Sequence, residues 1–349
     1  MNFQIEIIPR TLHFKQPAGT SRGIYTTRNV WYLRLTSPDQ PGQVGMGECA
    51  PLPKLSCDAL PDYEKTLACV CREVEEKGET FDMKGLRRYP SMLFGLEMAF
   101  RHFNAGSYAL YNTRFSRGEA GIPINGLIWM GDHDKMLAQI ETKMQQGYRC
   151  IKLKIGAINF EEELDLIRHI RARFSAKEIE IRVDANGGFA PTDALEKLKR
   201  LAELDLHSIE QPIKAGQWEE MARLIETSPL PIAFDEELIG CNLLPRKAEL
   251  LSTLNPRYIV LKPSLHGGIS GCDEWIELAK KLGIGWWITS ALESNIGLNA
   301  IAQWCATYHN PLPQGLGTGL LFTDNVEMPL EIRKDCLWYA GKNVEENGR

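Results

Sequence analysis

The stretch from Cys150 to Asn186, CIKLKIGAINFEEELDLIRHIRARFSAKEIEIRVDAN, contains one complete strand–helix–strand unit. A short apolar run at 150–155 carries two lysines. An amphipathic stretch with an acidic start, Glu161-Glu162-Glu163, then places Leu164, Ile167 and Ile170 at helical spacing, and a second apolar run at 179–183 ends against Asp184. A period of two giving way to one near 3.6 and back again is the pattern of a parallel βαβ crossover.

The unit recurs on both sides. Further runs at 122–128, 207–209, 232–234, 258–261, 285–289 and 314–316 bring the strand candidates to eight, with amphipathic stretches such as 192–204, opening after Pro191, between them. Eight strand–helix units in about 200 residues predict an α/β fold of the (β/α)-barrel kind. An open doubly wound sheet is the alternative, disfavoured because no Gly-x-Gly-x-x-Gly opens a helix. Upstream, 2–9 and 30–36 alternate like strands and 61–77 and 91–104 read as helices, an α+β segment. The expected organisation is therefore an α+β capping domain at 1–110, a barrel at 111–321 and a terminal segment at 322–349. The last contains a strand-like run, 335–340, expected to return to the amino-terminal domain.

Composition narrows the function classes. The chain has 349 residues and 40 basic against 45 acidic side chains, a net charge of −5, which argues against a nucleic-acid coat or a polybasic membrane anchor. Its 44 % hydrophobic and 24 % charged residues are those of a globular protein with a large core. Nine scattered cysteines fit a reducing, cytoplasmic setting better than a disulfide framework. No basic region with an apolar run follows Met1 and no apolar stretch is long enough to span a bilayer, so neither secretion nor membrane insertion is expected.

Barrel enzymes carry their chemistry at the carboxyl ends of the strands. Here those ends read Lys152-x-Lys154, Asp184-Ala185-Asn186-Gly187, Glu210-Gln211-Pro212, Asp235-Glu236 and Leu261-Lys262-Pro263, one βα unit apart each time. Three carboxylates converging at one mouth repel one another unless a positive group sits among them. A divalent cation with all-oxygen ligation answers that need, and few protein ligands with open positions favour Mg²⁺. Taken singly, each carboxylate is also readable as a loop or helix-cap residue. Strand periodicity puts Lys152 and Lys154 on one face, where each disfavours the other's ammonium form, so that one becomes a base; the same spacing also suits two lysines neutralising the carboxylates. Lys262, across the ring, tips the balance toward chemistry.

The ordered set Lys-x-Lys, Asp-x-Asn-Gly, Glu-Gln-Pro, Asp-Glu and Leu-Lys-Pro resembles the enolase superfamily, in its muconate lactonizing subgroup. Gly45-Met46-Gly47-Glu48-Cys49-Ala50-Pro51-Leu52-Pro53 is similar to the loop with which that family's cap closes over substrate, and Thr289–Gly297 to its seventh-strand segment. The resemblance spans about Val44 to Asp324. It implies a modified barrel of (β/α)7β type with a capping domain. Carried over by residue, it makes Asp184, Glu210 and Asp235 ligands of one Mg²⁺, with Mn²⁺ as a substitute. Lys154 becomes the general base, Lys262 the cationic partner on the opposite face, and Lys152 a neighbour that lowers the pKa of Lys154 and contacts the substrate carboxylate.

The Ser-x-Leu-Glu-Ser run and the short amino-terminal region most resemble the branch that dehydrates 2-succinyl-6-hydroxy-2,4-cyclohexadiene-1-carboxylate in menaquinone biosynthesis, through an enediolate. Pocket candidates are Ser290, Gly317, Thr318, Asn186 and Arg22, the last in the segment where the family's mobile cap loop lies; Glu236 and Glu293 are expected to support the site from behind. The implied partner is a small-molecule carboxylate, with no nucleic acid, membrane insertion or protein partner. Competing readings are an N-succinylamino acid racemase or another enzyme of the subgroup, a metal-independent Schiff-base lyase at Lys262, and a non-catalytic binding barrel.

Overall fold

The computed structural model describes residues 1–20 and 23–341. A three-stranded antiparallel sheet in the order β1-β2-β3 opens the chain: β1 (Gln4–Thr20), β2 (Gly23–Thr36) and β3 (Val44–Cys49). Pro9 suggested an end to the first strand, yet β1 runs through Pro9 and Pro17. It is an edge strand, where a missing N–H leaves no ladder bond unmade, and its register shifts between His13 and Ala18 beside Pro17.

Two helices, α1 (Tyr63–Lys77) and α2 (Pro90–Ala105), cover the sheet. Leu67, Val70, Cys71 and Val74 form the buried stripe of α1, which packs with Leu33, Leu35, Leu93 and Leu96 into a core of its own. The 45–53 run, likened above to a closing loop, divides in two. Residues 44–49 are strand β3, pressed so closely on α2 that a Cβ on Gly47 would collide with the Gly95 carbonyl, and only the residues after Cys49 form the loop.

Beyond β4 (Ile122–Pro123), a parallel sheet runs β5 (Gly126–Ile128), β6 (Cys150–Lys154), β7 (Glu180–Asp184), β8 (Ser208–Glu210), β9 (Ile232–Phe234), β10 (Tyr258–Leu261) and β11 (Gly285–Ile288), neighbours in space as in sequence. One helix follows each: α3 (His133–Gln145), α4 (Phe160–Arg171), α5 (Pro191–Ala202), α6 (Trp218–Thr227), α7 (Leu244–Leu254), α8 (Gly268–Leu282) and α9 (Asn295–Cys305). The ring closes through backbone bridges from Gln314 to Ile124 and from Gly315 to Thr289. The eighth strand expected at 314–316 is thus reduced to two bridging residues, hemmed by Pro311 and Pro313 on one side and Gly317 on the other. This is the expected (β/α)7β arrangement with its α+β cap.

The run at 122–128 is likewise divided. Ile122–Pro123 pairs antiparallel with β13 (Cys336–Tyr339), itself paired with β12 (Leu330–Arg333), while only Gly126–Ile128 enters the barrel. The strand expected to return to the amino-terminal domain therefore pairs beside the first barrel strand instead. It is residues 321–324 that meet the cap: Lys15 N donates to Leu321 O and His13 N to Asp324 Oδ1, both at 2.8 Å. Among the described residues, no helix is long and apolar enough to cross a membrane.

Candidate active site

Strand register assembles the site. Lys154 of β6 lies opposite Asp184 of β7, and Asp184 opposite Glu210 of β8; Asp235 and Lys262 are the first residues beyond β9 and β10. All five side chains therefore emerge at one level of the barrel mouth. In a ring of eight positions β6 and β10 are four apart, so Lys154 and Lys262 face each other across the carboxylates.

The charges interlock. Lys152 Nζ bridges Glu210 Oε2 at 2.6 Å and Asp184 Oδ2 at 2.9 Å. Lys154 Nζ donates to Asp184 Oδ2 at 3.1 Å and to Asn186 Oδ1 at 2.7 Å, and Lys262 Nζ pairs with Asp235 Oδ2. Asn186, in the left-handed region at φ 45°, in turn donates its Nδ2 to Glu236 Oε1 at 3.1 Å. Two carboxylate oxygens, Glu210 Oε1 and Asp235 Oδ1, are buried with no hydrogen-bond partner among the described residues, as is Glu236 Oε2.

Electrostatics follow from this packing. Burial opposes the charge on Asp184, but Lys152 and Lys154 overcome it and hold the carboxyl below its usual range. Glu210 is pushed up by burial and by the Asp184 charge, so two carboxylates share one ammonium. Glu236 rises to about 7 through burial and the charge of Asp235. For Lys152 the result differs from expectation. Burial alone would lower its pKa, but Asp184 and Glu210 raise it, so its ammonium is held by carboxylates rather than weakened by a neighbouring lysine. Lys262 is raised in the same way, chiefly by Asp235 against the cost of burial. A protonated, ion-paired Lys262 is poorly suited to Schiff-base formation, which needs the free amine.

A pocket opens above these groups. The cap loop contributes Leu52 and Leu55, the barrel Leu127, Trp129, Leu265, Ala291 and Leu292, and the expected Ser290, Gly317, Thr318 and Asn186 line it too. Ser290 Oγ and Thr318 Oγ1 are 2.7 Å apart, and each hydroxyl is nearly buried. Glu293 does not reach the pocket: it accepts hydrogen bonds from Ser264 Oγ and, at 2.6 Å, Ala291 N, and so braces the loop behind the wall. Arg22 lies outside the described residues.

Sequence reading missed three contributors. Trp287 lines the pocket, with the Arg182 guanidinium 4.2 Å from its ring centroid. His266 is fully buried behind Lys262; its Nδ1 accepts the Lys262 N–H at 3.0 Å, and burial lowers its pKa to about 3, so it is neutral with its proton on Nε2. Gln211, at φ 40°, accepts from Glu237 N and donates to Glu237 Oε2, which fixes the turn between β8 and α6. Only the Lys-Pro-Ser-Leu-His spacing, one helical turn from Lys262 to His266, hinted at any of these.

Comparison with known proteins places this architecture. Residues 135–339 match the family model "Enolase C-terminal domain-like", and residues 21–103 match "MenC, N-terminal domain". An o-succinylbenzoate synthase from Desulfotalea psychrophila is 46 % identical, the alignment covering 92 % of this chain and 95 % of that protein. An o-succinylbenzoate synthase from Vibrio cholerae is 30 % identical over 87 % of this chain and 86 % of its own length. The crystal structure of MenC from Desulfotalea psychrophila superposes with a TM-score of 0.83 at 40 % identity, covering 97 % of this chain and 100 % of that one. Muconate lactonizing enzyme from Pseudomonas fluorescens shares the fold at a TM-score of 0.79 and 22 % identity, over 96 % and 93 % of the two chains.

The chain is an enzyme of the enolase superfamily, whose members use a divalent metal ion. Within that superfamily it belongs to the o-succinylbenzoate synthase family.

Proposed function

We propose that this protein catalyses the Mg²⁺-dependent syn dehydration of 2-succinyl-6-hydroxy-2,4-cyclohexadiene-1-carboxylate to 2-succinylbenzoate, a step of menaquinone biosynthesis, in the cytoplasm. The observation that carries the proposal is a pair of lysines, Lys154 and Lys262, on opposite sides of one ring of carboxylates, in a chain 46 % identical to an o-succinylbenzoate synthase.

The residues fit a hard divalent cation. Asp184, Glu210 and Asp235 supply an all-oxygen donor set at the ends of adjacent strands, and the orphaned Glu210 Oε1 and Asp235 Oδ1 are buried acceptors in want of a positive partner. A cation bound there supplies Lewis acidity toward the substrate carboxylate, which lowers the cost of removing the proton beside it.

In this reading Lys154 takes the α-proton, its amine positioned by Asn186 and Asp184. The same lysine returns the proton to the departing hydroxyl, as a syn elimination requires, and aromatisation drives the second step. Lys262, kept protonated beside Asp235, faces the resulting anion from the other side. Lys152 bridges Asp184 and Glu210 and offsets their mutual repulsion. Leu52, Leu55 and Trp129 exclude water, while Ser290, Thr318 and Gly317 offer polar contacts for the succinyl tail.

Turnover of the cyclohexadiene followed by ultraviolet absorbance, with Mg²⁺ and with EDTA, tests the proposal. Rapid, chelator-sensitive loss of the diene signal is expected. A substrate that persists in Mg²⁺ would refute it and turn attention to α-proton exchange in N-succinylamino acids, which the same two opposed lysines also suit.

A further inference from the structure

The two walls of the pocket belong to different domains: Leu52 comes from the cap, and Ala291 and Leu292 from the barrel loop after β11. One side chain joins them. Arg28, in β2, is 1 % exposed and lines no part of the pocket. Its Nη1 donates to Pro51 O at 2.6 Å and its Nη2 to Ala50 O, so one edge of the guanidinium grips the backbone immediately before Leu52. Its Nε donates to Leu292 O at 3.2 Å and its Nη2 also to Ala291 O at 3.3 Å, so another edge grips the opposite wall. All four acceptors are backbone carbonyls, and no carboxylate stands within ion-pair distance among the described residues. A planar fork of five donors is the side chain that can satisfy such a set; an ammonium, with three donors about one point, cannot span it.

Leu292 needs this hold. Its φ of 63° lies in the left-handed region, costly for a residue with a branched side chain, and its own N–H makes only a long contact of 3.3 Å to Ser290 Oγ. The neighbouring anchors sit on either side of it: Ala291 N on Glu293, and Ser294 N and Oγ on Glu48 of the cap. Between those anchors the carbonyls of Ala291 and Leu292 are held from the cap by Arg28.

We propose that Arg28 is a positioning residue for substrate binding: its guanidinium ties the cap backbone at Ala50 and Pro51 to the barrel backbone at Ala291 and Leu292, and so fixes the separation of the pocket walls and the strained placement of Leu292. The inference rests on the dehydration proposed above only for the substrate in which it is read. Arg28 touches no reacting atom, so its loss loosens substrate binding more than it slows chemistry.

The experiment compares Arg28→Met, Arg28→Lys, Leu292→Gly and the Arg28→Met/Leu292→Gly pair with wild type in Mg²⁺. Arg28→Met is expected to raise KM for the cyclohexadiene roughly tenfold, the scale on which small displacements of a binding wall act, with kcat changed far less. Arg28→Lys falls between the two. Leu292→Gly removes the strain that Arg28 restrains, so the added effect of Arg28→Met in that background shrinks. Hydrogen exchange of the substrate-free proteins gives a second reading: Arg28→Met should speed exchange at Ala50, Leu52 and 290–294 and leave the amides of α1 unchanged.

An Arg28→Met protein with a lowered melting temperature, unchanged KM and uniform exchange would overturn the proposal, because that is the behaviour of a merely structural arginine. Equal effects of Arg28→Met in both Leu292 backgrounds would overturn it too. If wild type does not turn over the diene, the dehydration reading fails and the exchange pattern alone decides the role of Arg28.

Discussion

Glu48 gives the most demanding prediction, because its burial has a calculable consequence. The carboxylate leaves the cap at the end of β3 and enters the first turn of α9, where it accepts hydrogen bonds from Ser294 N at 2.8 Å, Ser294 Oγ at 2.6 Å and Gly297 N at 2.9 Å. Burial raises its pKa from 4.5 to about 7 despite those donors, and the nearby Glu293 adds to the rise. An acid whose folded pKa lies above its unfolded value holds its proton longer in the native state. Between the two values the unfolded chain binds fewer protons, so stability falls as pH rises through 4.5 and on past 7.

A shift of this size corresponds to about 3 kcal/mol, lost progressively between roughly pH 4.5 and pH 8. Glu48→Gln cannot ionise. Its amide meets donors on α9 and is less stable by a constant amount, but that offset does not change with pH. Urea unfolding of both proteins at matched pH and one Mg²⁺ concentration isolates the effect, since the other titrating groups are common to both. The stability of Glu48→Gln relative to wild type should climb by about 3 kcal/mol from pH 4.5 to pH 8. A difference that stays flat across that range would refute the argument that burial outweighs the three donors.

The other expectations concern the metal and the cap. Asp235→Asn should weaken Mg²⁺ activation and lower the rate together, read as a shift in the Mg²⁺ titration of activity; an unchanged titration would remove Asp235 from the ligand set. Gly47→Ala forces β3 away from α2 because its Cβ meets the Gly95 carbonyl, and a loss of about 1–3 kcal/mol in thermal or chemical unfolding is expected. Stability equal to wild type would mean that the strand and helix separate without cost.

How much was legible follows the range of the interactions. The strand-end charges could be read because a strand of fixed period delivers its last residue to a fixed level, and each of Lys154, Asp184, Glu210, Asp235 and Lys262 sits within one residue of a strand end. The charge state of Lys152 was not legible. Spacing puts the two lysines side by side but carries no information on the carboxylates of β7 and β8, which outweigh that neighbour. The eighth strand was over-read, since apolar character persists at 314–316 while flanking prolines and glycine limit the pairing. Arg28, Glu48 and His266 escaped notice for a common reason. Their partners are mostly backbone groups, some more than 240 residues away in sequence, and a backbone carbonyl or amide has no signature in the side-chain code.

In the proposed reaction one lysine, Lys154, both removes the α-proton and returns it to the leaving hydroxyl. The most direct test is the rate of cyclohexadiene dehydration by Lys154→Ala in saturating Mg²⁺, with thermal unfolding and Mg²⁺ affinity measured on the same preparation. The expected result is a fall of about 100-fold to 10,000-fold in kcat, the range for loss of a general acid–base group, in a folded protein that still binds Mg²⁺. A rate within a few-fold of wild type would contradict it.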